Sequence, residues 1–202
     1  MKDLTARTAK QKDVIPSRSL AALGKRLSAL YDAGEVTRLH TVPMLRPNTI
    51  AEHVYGSLLI ATELVTLNVR FAASKNLNIS RVKVMEALLI HDAPEVVTGD
   101  APAPVKRAHP AVDDAHAIME DDFYNNHGIE FPHLNKLEEM IVKASDTLDL
   151  GFTIARERRM GNRHSILKEV YDNVMLYTLA QVDGIDGVTD MRVLLAKQWS
   201  EV

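Results

Sequence analysis

Apolar residues recur at three- and four-residue steps along nearly the whole chain, and no segment alternates convincingly between apolar and polar residues. A 3.6-residue period builds amphipathic helices, whereas a two-residue period builds half-buried strands. The pattern predicts a compact all-α bundle of about six or seven helices. Leu20, Leu23, Leu27 and Leu30 form one apolar line after Ser17 or Ser19, either of which suits an N-cap, and Gly34 ends that helix. Residues 38–49 hold two prolines and no period, so a loop is expected there. A second helix is expected over 51–73, with Val54, Leu58, Ala61 and Val65 inward. Ser80 should cap a third, running from Arg81 to His91 or Asp92, because Pro94 disfavours helical geometry in the residue before it. Pro94 can then open a short new turn as its first residue. Residues 101–110 read as a proline-rich loop and 110–127 as a helix. The longest helix is expected from Pro132 or His133 to about Arg159, with Leu134, Leu137, Ile141, Ala144 and Leu148 in line. Helices over 163–182 and 189–199 close the chain, separated by the turn DGIDG.

A length of 202 residues fits one domain with a real core. Residues 1–16 are polar and basic and are expected to be a flexible arm, leaving 17–202 as a single domain. The chain has no cysteine, which excludes disulfides, thiolate metal sites and cysteine nucleophiles and points to the cytoplasm. No apolar run is read as long enough to cross a bilayer, so no membrane partner is expected. A net charge of −3 argues against a general nucleic-acid surface.

The stretch ALLIHDAPEVVTGDAPAPVKR, residues 87–107, carries the chemistry. An apolar helix stops at His91-Asp92, and a loop dense in acids, prolines and basic residues follows. His53 sits early in the second helix and Asp146 inside the longest one. Each lies on or beside an apolar stripe, where an unpaired carboxylate would cost several kcal/mol, about 3–5 when a partner is lost. Two imidazoles and two carboxylates suit a divalent cation that keeps positions open for water and substrate oxygens. The alternative reading of each residue alone is a capping Asp or a hydrogen-bonded core His. Glu95, one turn beyond the pair, is placed for general acid or base work. Asp100, after a Thr-Gly turn, is suited to hydrogen-bonding hydroxyls, and Lys106 and Arg107 to meeting phosphate. His109, His116, His127, His133 and His164 show no partner pattern and are expected at the surface. Asp149 is expected as a surface or capping acid, and ERRMGNRH, residues 157–164, as a solvated basic helix end.

His53, His91-Asp92 and Asp146 together resemble the metal-binding pattern of the HD-domain phosphohydrolases. HDAPEVVTGDAPAPVK is similar to the HDxxEVxTGDxPxPVK block of bacterial 5′-deoxynucleotidases of the YfbR type. RLHTVPMLRPNTIAEH, residues 38–53, has the length of that group's segment from its arginine to its first metal histidine. The chain also resembles phage HD-domain dATP triphosphohydrolases of the DatZ type. The resemblance implies an HD-domain helical bundle in which His53, His91, Asp92 and Asp146 bind one divalent ion (Mn, Co, Mg or Zn), with a second ion able to accompany the substrate phosphates. It implies that Glu95 handles the proton or the attacking water, that Asp100 contacts the sugar, and that Arg38 and Lys106 hold phosphate. It implies a homodimer or higher homo-oligomer. Relatives often carry tryptophan after the arginine, against the sugar; here Leu39 gives a smaller wall.

The expected activity is attack at the α-phosphorus of a (deoxy)nucleotide, foremost a 5′-deoxynucleotidase acting on a dNMP. A dNTP triphosphohydrolase is the alternative, and a non-catalytic nucleotide-binding protein the reading from another class.

Overall fold

The computed structural model describes residues 20–74, 78–182 and 184–201, with the side chains at 70, 71, 73, 74 and 178–181 outside the description. The arm over 1–16, and Ser17 and Ser19 as caps, lie outside the described residues. The longest amphipathic segment becomes the spine, α7, Lys136–Arg159. It starts later than the periodicity indicated, because Asn135 caps it. Its side-chain oxygen accepts the N–H groups of Leu137 and Glu138, both at 3.0 Å. The Glu138 carboxylate answers by accepting the Asn135 N–H at 2.8 Å, which completes a capping box. The other Glu138 oxygen accepts the N–H of Ser80 at 2.7 Å and so joins this helix start to the next cap.

Six further long helices surround or extend the spine: α1 Leu20–Gly34, α2 Ile50–Ser74, α3 Arg81–Ile90, α6 Pro110–His127, α8 Ser165–Gln181 and α9 Val188–Ser200. Two short ones, α4 Glu95–Thr98 and α5 Ala103–Ala108, lie between α3 and α6. The seven long helices among the described residues match the expected bundle. The α5 turn replaces what was expected to be plain loop; Pro102 sits just ahead of it, where a missing N–H leaves no helical hydrogen bond unmade. A two-residue antiparallel pair, β1 Thr37–Arg38 with β2 Asn48–Thr49, likewise occurs inside the expected loop. It is too short to alternate visibly in sequence.

One core cluster unites α2, α3, α6 and the first half of α7 through Leu64, Leu88, Phe123 and Ile141. A second joins the later part of α7 to α8 and α9 through Ile154, Leu167 and Leu195. Each such fully buried aliphatic side chain stabilises the fold by roughly 1.5–3 kcal/mol. Gly151 lets α9 close in, since a Cβ there would stand 2.6 Å from Leu195 Cδ2.

Two expectations fail. Leu20, Leu23 and Leu27 of α1 are exposed, and only Ala33 of that helix is buried. Of the leucine line, Leu20, Leu23 and Leu27 do not point into the core; Leu30, with Ala29, makes the packing contacts. Arg26 and Lys25 fasten α1 to the end of α6 by donating to the carbonyls of Gly128 and Asn126. Residues 50–69 of α2 are, by length and composition, apolar enough to cross a membrane. Such a stretch tolerates a few charges, here Glu52 and Glu63. It is a bundle helix, burying His53, Ser57, Ala61, Leu64, Val65 and Asn68.

Candidate metal centre

Three helices deliver the predicted ligands to one place. His53 comes from the first turns of α2, His91 and Asp92 from the end of α3, and Asp146 from the middle of α7. The end of α3 is pinned by the Tyr124 hydroxyl, which lies 3.0 Å from the carbonyl of Ile90 and 3.1 Å from that of His91. It donates to carbonyls that a helix end leaves without partners. His53 Nε2 stands 3.2 Å from Asp146 Oδ1 and 3.4 Å from Asp92 Oδ2. His91 Nε2 stands 3.3 Å from Asp92 Oδ1 and 3.9 Å from Asp146 Oδ1. His53, His91 and Asp146 could hold a metal ion, their ligand atoms lying within 4.8 Å of one another.

The polar atoms left over fit a cation. His53 Nε2, His91 Nε2 and Asp92 Oδ2 are buried and make no hydrogen bond of acceptable geometry among the described residues. Both imidazoles use their other nitrogen. His91 Nδ1 donates to the Leu88 carbonyl at 2.8 Å, and His53 Nδ1 donates to Asp149 Oδ2, also at 2.8 Å. Each ring therefore turns Nε2 toward the common point, the orientation that metal-binding histidines adopt.

Electrostatics point the same way. Burial disfavours charge on His91, yet Asp92 and Asp146 outweigh it and push the imidazole up to about 9. Burial and Arg38 also oppose a charge on His53, but Asp146, Asp149 and Asp92 raise it. Against burial, His53 and His91 hold the Asp146 carboxyl well below the usual range, and His91, Arg38 and His53 lower that of Asp92. The acids raise both imidazoles, so in the absence of a metal they favour protons there; a divalent ion would take the place of those protons.

Arg38 reaches in from β1. Its Nε is 3.8 Å from Asp92 Oδ2 and its Nη2 is 3.9 Å from Asp146 Oδ1. The next residue, Leu39, has φ +57°, a left-handed conformation that costs a branched side chain energy. The Leu39 N–H donates to Asp100 Oδ2 at 2.6 Å, so Asp100 latches the strap that carries Arg38. At the far end, buried Glu157 accepts the Leu45 N–H at 2.7 Å, and Asn162 donates to the Pro43 carbonyl at 2.7 Å. The 157–164 segment is thus an anchor at Glu157 and Asn162, not wholly a solvated end. Arg38, Leu39, His40, Val42, Met44 and Arg46 help to line a cavity of about 200 Å³ along the strap.

Glu95 opens α4. Its Oε2 is buried without a hydrogen-bond partner among the described residues, and burial, with Asp92 and Asp100 near, pushes its carboxyl up to about 9 against the pull of Arg38. Lys106 lies 4.0 Å from Glu120 of α6. Asp149 departs most from expectation: it is buried and bonded to His53, not a surface acid. Its spacing of three from Asp146 on an inward stripe was the available signal. Of the histidines expected at the surface, His109, His133 and His164 are exposed, whereas His116 and His127 are half-buried. His127 donates to the Phe123 carbonyl at 2.7 Å and packs on the Phe123 ring.

Two histidines and an inner acid converging inside an all-helical bundle could hold a metal ion, the arrangement expected of a metal-dependent phosphohydrolase. Residues 27–187 match the pattern of the 5′-deoxynucleotidase YfbR-like family, and the chain belongs to that family. No curated protein sequence matches it significantly. Among solved structures it is similar to an HD-domain phosphohydrolase from Listeria innocua, with 20% identity, a TM-score of 0.67, and 89% of this chain and 93% of that one covered. It is also similar to the cyanophage S-2L HD phosphohydrolase DatZ, bound to dA and one catalytic Zn2+ ion, with 18% identity, a TM-score of 0.62, and 86% and 94% covered. The PH0347 protein from Pyrococcus horikoshii OT3 shows the same fold at 16% identity and a TM-score of 0.62, with 87% and 97% covered.

Proposed function

We propose that the protein is a 5′-deoxynucleotidase, hydrolysing a deoxynucleoside monophosphate to deoxynucleoside and phosphate. The observation that carries this reading is the convergence of His53, His91, Asp92 and Asp146 with Arg38 at their edge. Those four side chains would hold one divalent ion, Mn, Co, Mg or Zn, and Arg38 would meet the phosphoryl oxygens. When bound, such an ion polarises a phosphoryl oxygen and lowers the pKa of a water. Arg38 neutralises charge that builds on the phosphoryl group. Water adds to phosphorus, the P–O5′ bond breaks, and the proton lost by the water ends on O5′; Glu95 moves that proton at its carboxyl. Leu39 walls the sugar, Asp100 faces it while latching the strap, and Lys106 of α5 serves a phosphate oxygen.

The sequence resemblance to phage dATP triphosphohydrolases of the DatZ type supports a second reading, release of triphosphate from a dNTP; the similar cyanophage structure is bound to dA. Both reactions attack the α-phosphorus. The 5′-deoxynucleotidase reading is preferred because the family match covers most of the chain. A cytoplasmic homo-oligomer is the state this reading expects. The test is phosphate release from dAMP and AMP against tripolyphosphate release from dATP, each with Mn2+, Co2+, Mg2+ and Zn2+. Tripolyphosphate as the sole product moves the assignment to the triphosphohydrolase. No turnover of any substrate overturns it in favour of a nucleotide-binding protein.

A further inference from the structure

Gly56 stands one turn along α2 from His53, and its missing side chain is occupied by another residue. A Cβ built on Gly56 would lie 1.8 Å from Oδ1 of Asp149 and 2.8 Å from its Cγ. The same carboxylate gives its other oxygen, Oδ2, to His53 Nδ1 at 2.8 Å. The Asp149 side chain is one-tenth exposed and the His53 side chain is fully buried. A buried carboxylate is thus seated in the notch of a helical glycine on α2 and aimed back at a histidine on that same helix.

We infer that Gly56 and Asp149 are a keyed pair of positioning residues: the glycine makes room for the carboxylate, and the carboxylate fixes the His53 ring so that Nε2 faces the cation. The inference rests on the metal site proposed above. Physical chemistry gives the pair its purpose. Imidazole has two nitrogens, and a ring free to turn about its side-chain bonds presents either of them, or neither, to a given point. A carboxylate on Nδ1 holds the proton there, orients the ring and raises the basicity of Nε2. His91 achieves the same end locally, through the Leu88 carbonyl of its own helix. His53 uses Asp149 of α7 for this. Room must therefore exist on α2 for a side chain arriving from α7, and only glycine leaves it. Alanine is the better helix former, so propensity alone would favour it at position 56.

The inference separates from a merely structural role through the coupling between the two positions. The probe is Co2+ alone, titrated calorimetrically into metal-free protein, with the visible d–d absorption of the bound ion as a second readout. Asp149→Asn is expected to weaken Co2+ binding about 10- to 100-fold, the size of loss seen when an outer-shell partner is removed. Gly56→Ala is expected to weaken it comparably by displacing the carboxylate, and to change the absorption envelope. In an Asp149→Ala background Gly56→Ala is expected to cost no further affinity, because the carboxylate it would strike is gone. Gly56→Ala carries the test by itself should Asp149→Asn not fold. Wild-type affinity and spectrum in both single variants would overturn the inference, as would an equal loss from Gly56→Ala in the two backgrounds. Failure of the wild-type protein to bind Co2+ would instead overturn the metal site on which the inference stands, so the two failures are distinguishable.

Discussion

The guanidinium of Arg38 stands 3.9 Å from Oδ1 of Asp146, so the strap between α1 and α2 closes directly over the middle of α7. In the proposed site Arg38 would compete with a metal for the same carboxylates and stand beside it when substrate is present. Arg38→Ala should lower kcat/KM by about 10²- to 10³-fold, the usual cost of losing one donor to a developing oxyanion. It should leave metal affinity equal or higher, because a nearby positive charge is gone. Steady-state kinetics beside metal titration check both halves; a loss of metal would show that Arg38 is structural.

Asp146 and Glu95 should separate binding from turnover. Asp146→Ala is expected to lose bound metal and activity together. Glu95→Ala is expected to keep the metal and lose turnover by about 10²- to 10⁴-fold. Metal analysis after gel filtration, with activity on the same samples, decides it; equal metal retention in the two variants would contradict the division.

Metal affinity should rise with pH toward about 9, where His91 of the metal-free protein loses its proton. Calorimetry in two buffers of different ionisation enthalpy should show net proton release at pH 7. His91, raised above its unfolded value, stabilises the metal-free fold fully below about 6.5, and that contribution is lost as pH rises through about 9.

Glu95 acts on stability in the same direction by a different route. Its folded carboxyl keeps its proton to about 9 while the unfolded chain releases it near the ordinary value of 4.5. Between those values the folded state binds more protons, so stability falls as pH rises. Glu95→Gln should remove that slope and stabilise the metal-free protein at pH 8 by roughly 1–3 kcal/mol. Thermal melts across pH 5–9 with a chelator present test it.

Leu39→Trp should raise the preference for dAMP over AMP about tenfold, since a rigid wall against the sugar rejects an added hydroxyl sterically. Competition between the two substrates measures it. An unchanged ratio would show that Leu39 does not touch the sugar.

Much of the fold was legible because helices advertise themselves locally. The line Leu134, Leu137, Ile141, Ala144, Leu148 is buried as its spacing requires, and Ser80 caps α3 as its position before the apolar run implies. The line Leu20, Leu23, Leu27 has the same spacing and stays exposed. Periodicity says that a helix has an apolar face, not what that face meets.

The site divides in the same way. The sequence by itself determined that His53, His91, Asp92 and Asp146 lie on or beside apolar stripes, where charge needs a partner or an ion. Only the tertiary structure decided that Asp149 turns to His53, that Gly56 leaves it room, and that Asp100 and Glu157 hold the strap at its two ends. Those contacts join residues far apart in the chain. Such a contact is set by which helix faces meet in space, and a residue's own neighbours in sequence carry no record of that.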